Sequence, residues 1–196
     1  MLSPDEIRER FAHVQAEVGP GVTVVAATKY VPLAEMGRLV EAGITIVGEN
    51  RAQDLEAKHA EYGDAFRWHF IGHLQSNKVK VVNGICELVH SLDSDSAARR
   101  LEVPALVQVN LAGEASKSGV EPAEIAEYLR YDVRGLSTMP PAASSADESR
   151  AWFARLRDLA AEHGLKELSM GTTQDYGVAA EEGATYVRVG SVLFQD

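Results

Sequence analysis

The chain has 196 residues, of which 45% are hydrophobic and 24% charged, and its formal net charge is −10. This composition is ordinary for a globular protein with one sizeable core. The negative balance disfavours nucleic acid and anionic membranes as partners, because both attract basic surfaces. No apolar stretch has the length of a membrane span or of a signal-peptide core. The single cysteine, Cys86, cannot form an internal disulfide and is expected to be a small buried residue, so the chain fits a reducing cytoplasm.

The N-terminal segment predicts a helix over residues 3–17 that precedes the strands. Ser3 is a suitable N-cap, and Pro4 suits the first helical turn. Ile7 begins an apolar stripe along this segment, and the Gly-Pro-Gly at residues 19–21 ends it. We therefore expect one additional helix before the first strand.

Eight short strands are predicted along the rest of the chain, with helical segments between them. Their ranges are 22–28, 44–47, 67–71, 88–90, 105–111, 133–138, 167–170 and 185–190. The helices are predicted near 32–42, 50–62, 76–82, from 94, from 121, over 147–163 and near 173–182. This alternation is typical of βαβ units and a parallel sheet.

Eight such units predict a (β/α)8 TIM barrel, which places its functional residues at the C-terminal ends of the strands. The chain is short for this fold, which typically needs about 250 residues, and the segment 94–104 is a trimmed unit. An open doubly wound sheet is the alternative, but no Gly-x-Gly-x-x-Gly follows a strand. We predict a single domain over residues 1–196, in which residues 140–146 form a flexible loop.

Lys29 lies at the end of the first predicted strand, which is otherwise apolar. Poor solvation there would favour its neutral amine, the form that attacks an aldehyde. A lysine that simply reaches water from a strand end is the structural alternative. Asn110 and Arg188 also lie in or beside apolar strands, where a helix-capping role does not explain them. Ser76, Ser94 and Thr173, in contrast, could be helix caps only.

The ends of strands seven and eight predict a phosphate site. Many barrels bind phosphate there through backbone N–H groups and the start of a helix. Barrel closure brings Lys29 beside strand eight, which carries Arg188. An amine, a phosphate site and an arginine at one mouth suit pyridoxal 5'-phosphate, whereas an ordinary phosphorylated metabolite would leave Lys29 unexplained. The glycines and hydroxyls concerned are Gly171, Thr173, Gly190 and Ser191.

One block of sequence is very specific: Trp-His-Phe-Ile-Gly-His-Leu-Gln-Ser-Asn-Lys at residues 68–78. Together with shorter motifs, it resembles the pyridoxal phosphate homeostasis protein family. The motifs cover nearly the whole chain, from Lys29 to Phe194. The shorter motifs lie at residues 27–29, 48–53, 107–110, 117–119, 134–139, 168–171 and 187–190.

The resemblance implies a barrel like the N-terminal domain of alanine racemase, in which Lys29 holds pyridoxal 5'-phosphate as an imine and Arg188 faces the pyridine nitrogen. It implies a cytoplasmic role in vitamin B6 and amino-acid balance without substantial catalysis. We expect a monomer, with pyridoxal phosphate-dependent apoenzymes as recipients, and no catalytic or metal-binding residues. The cofactor-binding residues that it implies are Lys29, Asn50, His90, Ser169, Met170, Gly171, Thr173, Arg188, Gly190 and Ser191.

This chain departs from the family pattern after strand seven, where Met-Gly-Met-Ser is usual and Thr172 and Thr173 follow the glycine here. The next three residues, Gln174-Asp175-Tyr176, are expected to form a larger group near the phosphate than the family has. The segments near 94–104 and 129–133 are shorter than in the family.

An amino-acid racemase or related pyridoxal phosphate enzyme is the alternative function. Racemases of this fold take a second base, a tyrosine, from a separate C-terminal β-domain, which we expect to be missing here. Tyr30 follows Lys29, but neighbouring strand residues point to opposite faces, so we expect a packing or rim role. His69 and His73 are four residues apart, but they lie at a strand end and in a loop rather than on one helix face. No carboxylate has ligand spacing to them, so a metal site is not expected.

Overall fold

The computed structural model describes residues 1–114, 118–141 and 144–195. Eight parallel strands form a closed barrel in chain order, and the last strand pairs with the first. The predicted (β/α)8 barrel is confirmed. Lys117 of the 117–119 motif, residues 142–143 of the predicted loop and residue 196 lie outside the described residues. The strands are β1 (Thr23–Ala27), β2 (Ile46–Glu49), β3 (Arg67–Phe70), β4 (Leu88–Leu92), β5 (Ala105–Gln108), β6 (Val133–Ser137), β7 (Glu167–Ser169) and β8 (Tyr186–Val189).

Helices surround the barrel, and several of them are short. Those in the described part of the chain are α1 (Pro4–Val18), α2 (Gly37–Glu41), α3 (Ala52–Tyr62), α4 (Val79–Ile85), α5 (Asp95–Ala98), α6 (Ile125–Tyr128), α7 (Arg150–Glu162), α8 (Tyr176–Glu181) and α9 (Ser191–Phe194). Turns of 3-10 helix occur at Leu33–Glu35, Gly63–Ala65, Pro122–Glu124 and Ala146–Ser149. Of these described helices, none has both the length and the apolar character needed to cross a membrane.

The predicted additional helix at the N-terminus is α1. Ser3 caps it in a reciprocal capping box with Glu6, and a proline occupies its first turn. Its apolar stripe buries Ile7 and Val14, and the helix packs against α2, α8 and α9. The sequence signals at this end were therefore sufficient to locate the helix.

The core consists of strand residues, which are covered on both faces as expected of a parallel barrel, and of the inward-facing residues of the helices. All five residues of β4 are buried, and so are the large rings of Phe70 and Phe153. Burying one such side chain contributes about 1.5–3 kcal/mol. Cys86 is buried as predicted, and burial raises the pKa of its thiol to about 12.

Element boundaries differ from the predictions near the barrel mouth. β1 ends at Ala27, so the chain turns before Lys29. The helix predicted over 32–42 is a 3-10 turn followed by α2, and the two segments meet at Met36. α8 begins at Tyr176 because the preceding four residues form a turn, in which the Asp175 carboxylate accepts from the Thr172 N–H at 2.7 Å.

Candidate functional site

A cavity of ≈ 940 Å³ lies at the C-terminal ends of the strands. Its walls come from the segments that follow β1, β2, β3, β6, β7 and β8, as the fold predicts. Six of the ten predicted site residues line it, and the other four lie elsewhere in the fold. The six are Lys29, Asn50, Thr173, Arg188, Gly190 and Ser191.

Lys29 is exposed, so the prediction of a poorly solvated strand lysine is wrong. Strand β1 ends at Ala27, and Lys29 and Tyr30 occupy a turn in which the Val31 N–H donates to the Thr28 carbonyl at 2.9 Å. The Lys29 ammonium lies 4.7 Å from the centre of the Tyr30 ring, a cation–π distance. The amine is open to any ligand that enters the cavity from solvent.

Tyr30 also lines the cavity and is 76% exposed. We expected the opposite face of a strand for this residue. Neither Lys29 nor Tyr30 belongs to β1, so the alternation of strand side chains does not apply to them. The structure places Tyr30 at the rim, on the same turn as the amine.

Arg188 is held rigidly at the floor of the cavity, with 8% of its surface exposed. Its Nη1 donates to the Ser169 carbonyl at 3.0 Å and to the Ser169 hydroxyl at 2.5 Å. Its Nη2 donates to the Thr138 carbonyl at 2.9 Å. Burial lowers the pKa of this guanidinium to about 10, while the nearby Asp175 acts in the opposite direction. Arg188 is therefore a fixed cation at neutral pH.

His90 and Ser169 lie behind the cavity wall in a hydrogen-bonded chain that ends at Arg188. His90 Nδ1 is 2.7 Å from the Ser169 hydroxyl, and its Nε2 is 2.9 Å from His69 Nδ1. Arginine can only donate, so the Ser169 hydroxyl accepts from Arg188. The directions of the Ser169–His90 and His90–His69 hydrogen bonds follow the tautomers of the two histidines.

His69 and His90 are both neutral at pH 7. Burial, with a smaller contribution from the nearby charge of Arg67, lowers the pKa of His69 to about 4. Burial also lowers the pKa of His90 well below its ordinary value, and His69 and Arg188 add to this effect. Neutral imidazoles can orient the guanidinium through Ser169 without adding a second buried charge.

Met170 and Gly171 are also buried, and neither lines the cavity. Gly171 has φ +90°, and a Cβ added to it would lie 2.5 Å from the Ala179 Cβ and 3.0 Å from the Tyr176 Cα. Close packing of α8 therefore requires this glycine. That reason differs from the predicted one, an approach of the backbone to phosphate.

Thr173, Gly190 and Ser191 form the polar end of the cavity. The Thr173 hydroxyl oxygen accepts from the Gly190 N–H at 3.2 Å and from the Val192 N–H at 3.5 Å. A hydroxyl has one hydrogen to donate, and that hydrogen remains available for a ligand. Ser191 is exposed beside it. These donors suit an anion.

Asn50 is positioned by a close approach of two loops. A Cβ at Gly72 would lie 2.1 Å from the Asn50 carbonyl oxygen, so only glycine fits there. Both residues line the cavity. Gly72 belongs to the specific block at residues 68–78, which explains part of that block as packing against Asn50.

Three other sequence-based expectations can be compared with the structure. Tyr176 does not lie near the polar end: its hydroxyl donates to Glu17 of α1 at 2.7 Å, and burial raises its pKa to about 12. Of the three residues Gln174-Asp175-Tyr176, only Gln174 lines the cavity. Asn110 orders its own loop by donating to the Glu114 carbonyl at 2.9 Å. Ser94 is a cap that accepts from the Ala97 N–H at 3.3 Å.

Several cavity residues were missed by the sequence analysis because apolar and rim residues carry no chemical signal. Met139 is half exposed, and its sulfur lies 3.0 Å from Arg188 Nη2. The others include Met1, Val31, Glu35 and Phe194. Among the residues that the structure describes, there is no group of three or more His, Cys, Asp or Glu suited to a metal ion.

Comparisons with known proteins agree with this architecture. The family model of the alanine racemase N-terminal domain matches residues 2–196. A pyridoxal phosphate homeostasis protein of Deinococcus radiodurans is 40% identical over 205 residues, covering 96% of this chain and 95% of its own. One from Aquifex aeolicus is 38% identical over 194 residues, covering 87% of this chain and 85% of its own.

A solved structure of PipY from Synechococcus elongatus PCC7942, with PLP bound, is 35% identical and matches with a TM-score of 0.87. The match covers 96% of this chain and 99% of PipY. A lysine/ornithine decarboxylase from Vibrio vulnificus matches with a TM-score of 0.75 over 98% of this chain and 62% of its own, at 15% identity. That likeness shows the barrel fold alone.

Proposed function

The chain belongs to the pyridoxal phosphate homeostasis protein family, and from this membership we propose that it binds pyridoxal 5'-phosphate in the cavity at the barrel mouth. The observation that carries the proposal is one cavity with three features: an exposed amine, a fixed guanidinium and the hydroxyls of Thr173 and Ser191. The first suits an aldehyde, the second a pyridine nitrogen and the third a phosphate.

Each residue has a separate part in this assignment. When bound, the cofactor supplies an aldehyde, which condenses with the Lys29 amine to an imine and releases water. Thr173, Gly190 and Ser191 hold the phosphate. Arg188 only donates, so a ring nitrogen facing it accepts and stays unprotonated. An unprotonated ring is a weak electron sink.

We assign the protein a role in pyridoxal phosphate and amino-acid homeostasis in the cytoplasm, without substantial catalysis. In this role it acts as a monomer and passes its cofactor to dependent apoenzymes. The names of its relatives support the homeostasis role. Arg188 supports the lack of catalysis, because it disfavours the charge that amino-acid chemistry places on the ring.

An amino-acid racemase is the second candidate, and the observation in its favour is that Tyr30 shares the cavity with Lys29. Two-base racemisation needs a proton acceptor on each face of the α-carbon. Lys29 and Tyr30 are adjacent in one turn, with the ring 4.7 Å from the amine, so both approach from one side. This geometry favours the carrier function.

Borohydride reduction of the protein mixed with pyridoxal 5'-phosphate, followed by peptide mapping, tests the proposal. We expect a visible absorbance band of the imine before reduction, and afterwards a tag on Lys29 alone. Pyridoxine 5'-phosphate is the control, because it lacks the aldehyde and leaves no tag. A tag on Lys78 or Lys117 in place of Lys29 would contradict the assignment.

A further inference from the structure

A buried ion pair lies directly behind the turn that carries Lys29. Glu49, at the end of β2, is 0% exposed, and Lys58, on α3, is 5% exposed. The Lys58 ammonium is 2.5 Å from Glu49 Oε1. The same carboxylate oxygen accepts from the Thr28 hydroxyl at 2.5 Å, and Lys58 also donates to the Thr28 carbonyl at 2.8 Å. The pair is therefore hydrogen-bonded to both the side chain and the backbone of Thr28.

Thr28 is the residue from which the turn starts. Its carbonyl accepts from the Val31 N–H at 2.9 Å as well as from Lys58, and its own N–H donates to the Gly48 carbonyl at 3.0 Å. Every hydrogen-bonding group of Thr28 is thus engaged within the protein. The direction in which the chain leaves β1, and with it the origin of the Lys29 side chain, is fixed.

Stability alone does not account for this pair. Two buried ions lose their hydration, and apolar residues of the same volume are often equally or more stabilising. Glu49 Oε2 is buried and has no hydrogen-bond partner among the described residues. The inner face of α3 otherwise uses apolar residues, Ala52 and Leu55. Unlike apolar residues, the pair forms directional hydrogen bonds to the hydroxyl and the carbonyl of Thr28.

We propose that Glu49 and Lys58 are positioning residues for Lys29, and this inference rests on the proposed binding of pyridoxal 5'-phosphate. Lysine is a long flexible side chain, so its amine meets a bound aldehyde frequently only if its backbone is fixed at the correct place. Through Thr28, the ion pair affects the rate at which the Lys29 amine attaches to the aldehyde. The phosphate residues Thr173 and Ser191 belong to other segments and are independent of it.

The test compares Thr28→Val, which removes the hydroxyl at nearly constant volume, with Thr28→Ser, which keeps it. The rate of covalent attachment at Lys29 is measured by borohydride quenching after mixing with pyridoxal 5'-phosphate. The affinity for pyridoxine 5'-phosphate, which cannot form an imine, is measured in parallel. We expect the Thr28→Val variant to attach pyridoxal 5'-phosphate at Lys29 about tenfold more slowly than the native protein, since small misplacements of reacting groups reduce rates strongly. Its affinity for pyridoxine 5'-phosphate should be unchanged, and Thr28→Ser should attach like the native protein.

The double variant Glu49→Gln/Lys58→Met neutralises both ions together and should behave like Thr28→Val; it provides the same comparison if Thr28→Val does not fold. Attachment at the native rate in a folded variant overturns the inference. A parallel loss of pyridoxine 5'-phosphate affinity also overturns it, because the role would then be structural. Failure of the native protein to attach the cofactor at all refutes the proposed function itself, and the inference with it.

Discussion

Ser191 and Thr173 are the single residues whose hydroxyls we propose hold the phosphate. A hydrogen bond to a charged group contributes about 1.5–3 kcal/mol, so Ser191→Ala should weaken pyridoxine 5'-phosphate binding by more than about tenfold. Thr173→Val should weaken it further, because the Thr173 oxygen also fixes the Gly190 N–H. Calorimetric titration measures both affinities.

The matched controls for this prediction are Thr173→Ser, which keeps the hydroxyl, and pyridoxine, which lacks the phosphate. Thr173→Ser should bind like the native protein. Equal losses of affinity for pyridoxine and for its phosphate in the Ser191→Ala variant would show that Ser191 does not contact the phosphate.

His69 predicts a pH dependence of stability. Its pKa is about 4 in the folded state and about 6.5 in the unfolded chain, so the unfolded state binds the proton first as pH falls. The free energy of unfolding therefore falls between about pH 6.5 and pH 4, by an amount on the order of 3 kcal/mol, and does not change above this range on account of His69.

Urea unfolding at pH 7.5 and pH 5 measures this difference in a native protein and in two variants. His69→Gln should reduce the difference because it removes one titrating group. His163→Gln, at the partly exposed end of α7, is the matched control and should leave it in place. A native protein equally stable at both pH values would contradict the burial of a neutral His69.

At the scale of elements, the junction of β7 and α8 depends on Gly171. Gly171→Ala places a Cβ 2.5 Å from the Ala179 Cβ at φ +90°. Gly19 has a similar φ of +83° with no atom within 4 Å of an added Cβ, so Gly19→Ala isolates the cost of the backbone conformation. That cost is about 1–3 kcal/mol, because Gly19 has φ +83° and ψ 172°, a conformation that essentially only glycine adopts. Overpacking should add about 1–3 kcal/mol at Gly171.

Thermal unfolding of the two variants measures the difference. Equal destabilisation by Gly171→Ala and Gly19→Ala would show that α8 moves away without cost. Since Gly171 serves packing, a loss of cofactor binding in a Gly171 variant would not by itself report on the phosphate.

The sequence predicts the order and number of the elements but not their ends. Strand β1 ends one residue before its predicted end, and that single residue moves Lys29 from a buried strand to an exposed turn. Helix α9 has four residues, from Ser191 to Phe194, which is too short to show a helical period. Apolar patterns report which residues are buried on average, whereas turns depend on individual contacts such as that of Lys58 with Thr28.

Sequence patterns also do not predict whether a side chain lines the cavity or lies behind its wall. His90 and Ser169 were expected beside the cofactor, and the structure connects them to Arg188 behind the cavity wall. The order of residues along a strand does not tell which of two inward layers a side chain occupies. The structure separates the residues that the resemblance implies into those that line the cavity and those, such as His90 and Ser169, that do not.

At the scale of the whole molecule, barrel closure brings the first and last strands together and so creates the cavity. The register pairs Val25 of β1 with Arg188 of β8, which places the guanidinium and the Lys29 turn at one mouth. Two parts of the site that are far apart in sequence therefore form only when the barrel closes. We expect cofactor binding and global unfolding to be coupled for this reason.

The absence of substantial racemisation or transamination is the prediction that concerns the molecule as a whole. The amine of Lys29 and the hydroxyl of Tyr30 lie on one turn. With the cofactor bound as we propose, proton transfer would lack an acceptor on the second face of the α-carbon, and Arg188 would oppose negative charge on the ring. Incubation of the loaded protein with alanine, serine and glutamate in deuterated water measures exchange of the α-hydrogen. We expect rates far below those of enzymes, which are about 1 per second or faster, and no further decrease in Tyr30→Phe. Enzyme-like exchange that disappears in both Lys29→Ala and Tyr30→Phe would establish the racemase and refute the carrier, because the two residues of this turn would then act as the base pair.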